Sequence, residues 1–337
     1  MVSVPGSCPL SYQCLNRRSI IIIEIATYHN VHLIYNPCAA RLRRAPEEGV
    51  RRAVDLLGAQ GCRVSVIPTP GPGTAGGLAR QSLETGADLI LALGGDGTIN
   101  EIAAGMIHSE APLGVLPAGT ANVLARELGL GCNLWKAARR VTECVPQRIS
   151  VGLLHMDGGA RSRHFLLMAG VGFDAHIVYR LSMALKSRLG QIAYWAGALR
   201  ELGRRLEEFD VHLEDRSLRC SFALASRTRN YAGYLEVASR ACLLGDDFEL
   251  VLFEGQSTFR YYAKYLVAVL AGTARKTGGI TFLRARKIAF SAPPEQPIYV
   301  QVDGEYAGRL PASVEIVPKA LTLLVPPEYR RTEPAPQ

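Results

Sequence analysis

Residues 89–104 constrain the chain more than any other stretch. An apolar run, Leu89-Ile90-Leu91-Ala92-Leu93, breaks into Gly94-Gly95-Asp96-Gly97-Thr98 and resumes as Ile99-Asn100-Glu101-Ile102-Ala103-Ala104. This is the pattern of a buried parallel strand, a turn that needs glycine, and a helix start. The first N–H groups of such a helix have no partner within it and face outward, which suits an anion such as phosphate. Asp96 is out of place in a bare anion pocket. A carboxylate beside phosphates is reconciled by Mg²⁺ between them, so the segment reads as a nucleotide-phosphate site with a metal. The plainer alternative is a tight strand-to-helix turn with Asp96 as a helix cap.

Strand and helix patterns alternate around this turn. Segments 31–35, 62–67, 88–93 and 113–116 read as strands, and 47–58, 74–85, 121–128 and 135–144 as helices. Alternation at this spacing gives right-handed crossovers and a parallel sheet, whose ligands sit at the carboxyl ends of the strands. Asn36, Thr69, Asp96 and Thr120 each follow a strand end, and four polar turns on one sheet edge make a pocket.

Beyond residue 148 the texture changes. Segments 148–156, 164–168, 211–213, 219–225, 248–253, 288–291, 298–302 and 314–317 read as strands without regular helices between them, the pattern of an antiparallel region. Helical insertions are expected at 177–206 and 258–271. The expected division is a disordered extension at 1–29, an α/β unit at 30–148 to which 318–329 returns, a β-rich unit at 149–317, and a disordered tail from 330.

With 337 residues and a net charge of +8, the chain is large enough for two cores, and its basic surface favours phosphorylated ligands or anionic membrane. No basic arm points to nucleic acid. The eight cysteines show no zinc or disulfide spacing, which fits a reducing cytoplasm. No apolar run is long enough to span a bilayer, and the expected state is soluble or peripheral. The arginines and lysines among the apolar residues of 177–206 suit either a helix on an anionic membrane or a solvated face over a core.

Four segments, GGDGTINE (94–101), PAGTANVLAR (117–126), AGVGFDA (169–175) and QVDGEY (301–306), together resemble the lipid kinases related to diacylglycerol kinase and sphingosine kinase. The first alone is shared with NAD kinases, and phosphofructokinases carry a close relative. The resemblance implies an N-terminal nucleotide-binding α/β unit of the NAD kinase/phosphofructokinase kind and a C-terminal antiparallel β-sandwich. It implies ATP and Mg²⁺ as cofactors and a lipid hydroxyl as acceptor, reached at the cytoplasmic membrane surface. ATP contacts are implied for Asn36, Pro37, Thr69, Gly94, Gly95, Asp96, Gly97, Thr98, Ile99, Asn100, Glu101, Thr120 and Asn122. Asp303 or Glu305 supplies the base, and Asp246 and Asp247 stand where the family has its structural-metal loop. Asp303-Gly304 also reads as a hairpin turn.

The chain departs from the family at several points. Cys38-Ala39-Ala40-Arg41 replaces Ser-Gly after the Asn-Pro, Val123 stands where many members have Asp, and the glycine-rich stretch and the Pro ahead of the metal loop are degraded as Tyr231-Ala232-Gly233-Tyr234 and Ser239. NAD kinase, and a catalytically silent nucleotide or lipid binder, are the competing functions. The identity of the lipid and homodimerisation are left open.

Overall fold

A computed structural model describes residues 28–172, 206–231, 235–255 and 259–330. The expected insertion at 177–206 lies outside them but for its last residue, as do most of the 1–29 extension, the end of the 169–175 segment and the tail beyond 330.

The first half is a β/α alternation: β1 (Asn30–Tyr35), α1 (Pro46–Gly58), β2 (Arg63–Pro68), α2 (Ala75–Glu84), β3 (Leu89–Gly94), α3 (Asp96–Gly105), β4 (Leu113–Pro117), α4 (Val123–Glu127) and α5 (Leu134–Arg139). These four strands are parallel in the order β2-β1-β3-β4. β3 and β4 are buried along their whole length, as a two-sided apolar strand must be, whereas β2 forms the exposed edge. Val50, Ala53 and Leu57, spaced by three and four, form the buried face of α1. Helices α2 and α3 touch through bare backbone, because a Cβ on Gly105 would lie 2.2 Å from the Gly76 carbonyl oxygen.

The second half begins with β5 (Val145–Met156), β6 (Arg161–Phe165), β7 (Met168–Gly172), β8 (Phe209–His212), β9 (Ser217–Cys220), β10 (Phe222–Ser226), β11 (Asn230–Tyr231) and β12 (Leu235–Glu236). It continues with β13 (Phe248–Phe253), α6 (Phe259–Leu270), β14 (Ile280–Ala285), β15 (Lys287–Ser291), β16 (Tyr299–Val302), β17 (Glu305–Arg309), β18 (Ala312–Val325) and α7 (Pro327–Arg330). A six-stranded antiparallel sheet, β14-β13-β10-β7-β16-β17, packs on the antiparallel end of the larger sheet. Phe165, Phe209, Phe248, Phe290, Val300 and Val314 fill the space between them, with Phe165 stacked on Phe248 at 5.7 Å. The fold is the α/β sheet with an antiparallel sandwich that the sequence implied.

β18 joins the two parts. It pairs with β15 near its start, runs parallel beside β4 near its end, and pairs antiparallel with β5 along its length, interrupted by a bulge at 317–321. The expected short strand at 314–317 is therefore one segment of a long one. Two other expected strands are each two. The 164–168 run breaks at Leu166–Leu167, whose N–H groups turn to a side chain, and the 219–225 run breaks at Ser221, whose N–H bonds Phe253 O at 3.0 Å.

Candidate active site

The glycine turn lies where β3 leaves the sheet. Gly95, extended at ψ 177°, is the N-cap of α3 and carries no side chain to cap it. Nearby loops are tied to the turn by backbone: Asn36 N bonds Leu93 O (3.1 Å), Ala118 N bonds Gly94 O (2.8 Å), and Arg41 N bonds Ala118 O (3.0 Å). Glycine is needed for this approach, since a Cβ on Gly119 would lie 2.5 Å from Gly95 Cα. Asn36 Nδ2 donates to Thr98 Oγ1 at 3.2 Å, joining the Asn-Pro turn to the glycine turn.

The other implied nucleotide residues are distributed unevenly. Thr120 is exposed at the same edge, Pro37 is half-buried beside Asn36, and Thr69 is buried with its N–H on Tyr35 O. Ile99 and Asn100 face into the protein from α3. Glu101 turns the other way, accepting from Gly73 N (2.9 Å) and Ala75 N (3.1 Å) at the start of α2. Asn122, with φ of 50°, spends its amide on its own turn: Oδ1 accepts from Gly119 N (2.8 Å) and Nδ2 donates to Gly119 O (2.9 Å).

Three carboxylates meet at the glycine turn. Asp96 Oδ1 accepts from Leu124 N at 3.3 Å, so Asp96 caps α4 rather than its own helix. Burial raises its pKa, and the amides of 122–124 oppose the rise. Asp303, between β16 and β17, is buried in the left-handed conformation (φ 49°) and saturated by backbone. Its Oδ1 accepts from Leu167 N (2.9 Å) and Met168 N (3.0 Å), and its Oδ2 from Leu166 N (2.9 Å). Burial pushes this carboxyl up from 3.8 to about 6 against those amides, and the charge of Asp96 adds to the rise. Glu305 differs from both. It is half-exposed, its Oε2 accepts from Arg163 Nη2 at 2.6 Å, and its Oε1 lies 2.9 Å from where a Cβ of residue 97 would be. The DGE segment is thus directly over the glycine turn, with only Glu305 offering a side chain that backbone has not consumed.

Two outcomes follow from this geometry. A Cβ at residue 97 meets only the end of a flexible side chain, so Gly97→Ala should melt close to native yet displace Glu305. Turnover should fall by at least about 10²-fold, which steady-state kinetics beside thermal melting will show. For Asp303 the folded pKa lies above the unfolded one. Its stabilising contribution is therefore complete below the unfolded value and is lost as pH rises through about 6. The change is on the order of 3 kcal/mol, and denaturant titrations of the native protein across this pH window should show stability falling, with a smaller fall in Asp303→Asn.

The metal-loop carboxylates lie elsewhere. Asp246 accepts from Ser150 Oγ, and Asp247 pairs with Arg284 Nε at 3.0 Å. Arg227 Nη2 donates to Leu243 O (2.6 Å) and Gly245 O (3.1 Å), and its Nη1 to Asp247 O (3.4 Å). Arg227 occupies main-chain oxygens of this loop and the two carboxylates are engaged by Ser150 and Arg284, so these residues as placed do not fit a metal ion. No three His, Cys, Asp or Glu side chains converge as a metal site among the described residues. Asp96, half-buried at the start of α3, is the carboxylate there that fits a divalent ion held with phosphates, since Asp303 is saturated by three amides.

Sequence reasoning missed Arg163 and Glu127. Glu127 of α4, fully buried, accepts from Arg229 N (3.0 Å), Arg229 Nε (3.1 Å) and Tyr329 Oη (3.0 Å), fastening the parallel sheet's last helices to the β10–β11 turn. A charged residue in the apolar run VLARELGL was the available signal for Glu127; nothing local marks Arg163.

Comparison with known proteins agrees with this arrangement. The family described as "Diacylglycerol kinase catalytic domain" matches residues 30–154, and "YegS C-terminal NAD kinase beta sandwich-like domain" matches 168–325. Diacylglycerol kinase of Bacillus subtilis (strain 168) is 26% identical over 302 residues, covering 88% of this chain and 96% of that protein. Diacylglycerol kinase of Staphylococcus carnosus (strain TM300) is 26% identical over 310 residues, covering 89% and 96%. A crystal structure of a diacylglycerol kinase from Bacillus anthracis str. Sterne shares the fold with a TM-score of 0.65 at 18% identity, covering 90% of this chain and 99% of that one. Two consecutive family matches across most of the sequence, on a fold that brings the glycine turn and the DGE segment together, show that the chain is an enzyme of the diacylglycerol kinase-like family of lipid kinases.

Proposed function

We propose that this kinase transfers the γ-phosphoryl group of ATP to the hydroxyl of diacylglycerol or a related membrane lipid, with Mg²⁺. The observation that carries the reading is the position of Glu305 over Gly97, which puts a carboxylate held by Arg163 beside the uncapped start of α3. The N–H groups of that first turn hold the phosphates, with Asn36 and Thr98 bracing the turn. Asp96 is the residue to hold Mg²⁺, which when bound supplies positive charge against the phosphate oxygens. Glu305 takes the proton of the lipid hydroxyl as its oxygen bonds to the γ-phosphorus. The bond from that phosphorus to the bridging oxygen breaks, and ADP leaves. Arg163 orients Glu305. Asp303, saturated by amides, shapes the turn and takes no proton from the lipid hydroxyl.

The acceptor requires work at a membrane surface, and we infer peripheral attachment on the cytoplasmic side. No helix among the described residues is long and apolar enough to cross a membrane. The test is transfer of labelled γ-phosphate from ATP with Mg²⁺ into vesicles of extracted membrane lipid, with Asp96→Asn alongside. A labelled lipid formed by the native protein and lost by about 10³-fold in the variant supports the reading. Label entering NAD instead, or equal activity in the variant, overturns it.

A further inference from the structure

The 243–247 loop is organised from inside by a buried cation. Arg227 follows directly on β10 and has no exposed surface. Its guanidinium is turned on three main-chain carbonyls of this one loop, at Leu243, Gly245 and Asp247. Carbonyl oxygens converging from alternate residues of a tight loop, with carboxylates beside them, are the donor set of a hard metal ion. Here the charges of Asp246 and Asp247 favour the protonated guanidinium instead. Burial pushes its pKa down to about 10, which leaves it charged at neutral pH.

We propose that Arg227 is the resident cation of this loop, taking the place that the family gives to a structural metal, so that the loop holds its shape without one. The energetic logic is that of any buried charge. A guanidinium removed from water is costly unless its donors are met; here the loop's carbonyls meet both terminal nitrogens, while the buried Nε has no partner. The reverse also holds, since the loop's inward carbonyls would be unsatisfied without it.

The loop's outward contacts make Arg227 a positioning residue. Asp246 takes the Ser150 hydroxyl, and Ser150 Oγ accepts from Lys319 N at 3.2 Å, which pins the loop to the β5–β18 pair. Leu243 N donates to Tyr329 Oη at 3.3 Å, and that hydroxyl donates to buried Glu127. On its other side, Arg227 N donates to Leu167 O at 2.8 Å, and Leu167 N is one of the three amides on Asp303. One side chain thereby connects the loop, the strand pair that joins the two parts of the fold, and the turn beneath the DGE segment.

The experiment is thermal melting of the full chain without nucleotide, in chelator and in excess Mg²⁺ or Ca²⁺, with calorimetric titration of each metal. The expected result is a native midpoint that does not differ between chelator and metal. Arg227→Met should melt roughly 5–10 °C lower, and Arg227→Lys should fall between the two, since the charge is kept and the fork is lost. Metal stabilisation of the native protein that Asp246→Asn removes would overturn the proposal, as would an Arg227→Met protein that melts like native. If Arg227→Met does not fold, the metal titration of native and Asp246→Asn proteins still decides, because heat of binding lost with Asp246 places a metal in the loop.

Discussion

Glu305→Gln melts close to the native protein and loses turnover by about 10²- to 10⁴-fold. The amide keeps the size of the side chain and its place over Gly97, so the fold is undisturbed. It surrenders only the ion pair with Arg163, whose two side chains are 34% and 38% exposed and whose loss therefore costs little stability. What it cannot do is take a proton. Binding of ATP, read by calorimetry, should persist while turnover in the lipid-phosphorylation assay collapses. Asp303→Asn reports the opposite split. Its amide nitrogen must confront one of the main-chain donors that now meet the carboxylate, so stability falls and activity follows only as far as the turn is disturbed. A Glu305→Gln enzyme that turns over like native, beside an inactive but stable Asp303→Asn, would reverse the assignment.

Gly119→Ala lowers stability by about 1–3 kcal/mol and abolishes activity with it. The two site loops meet at bare α-carbons, and the new methyl would lie 2.5 Å from Gly95 Cα and 3.0 Å from Asn122 Oδ1. Neither neighbour can yield cheaply. Gly95 is main chain at the start of α3, and the Asn122 amide is committed to Gly119 itself. The melting midpoint should drop by roughly 3–10 °C, in contrast to Gly97→Ala, where the obstacle is a side-chain end. A Gly119→Ala protein with native melting and turnover would show that the contact between the loops is slack.

The parts of this site that were legible in the sequence are those whose chemistry is local. A glycine run after an apolar strand fixes a turn and an exposed helix start wherever it occurs, and Asp303-Gly304-Glu305 announces carboxylates on a tight turn. The division of labour proposed for Asp303 and Glu305 was not legible, because it rests on amides at 166–168 that lie 135 or more positions away. Those same amides explain why the apolar run at 164–168 is two strands rather than one. Arg163 reaches Glu305 across 142 positions, a pairing that no spacing encodes. Asn122 and Glu101 were recognisable as motif residues, yet their side chains serve neighbouring backbone. The acidic pair at 246–247 looked available for a metal because nothing nearby in the sequence reveals that an arginine twenty positions earlier than Asp247 fills the loop.

The pairing of Met156 with Ala312 has a consequence for how such enzymes can diversify. The chain leaves the β5–β18 ladder after Met156 and returns to it at Ala312, so the segment between them has both its ends at one doorway. The proposed donor side and the excursion that supplies Arg163, Asp303 and Glu305 are therefore connected by neighbouring threads rather than by distant ends. Insertions and exchanges within the excursion need not disturb the order of the parallel strands. A chain wired in this way can acquire a new acceptor by rewriting one contiguous stretch of sequence, provided that the carboxylate returns to its place above the glycine turn.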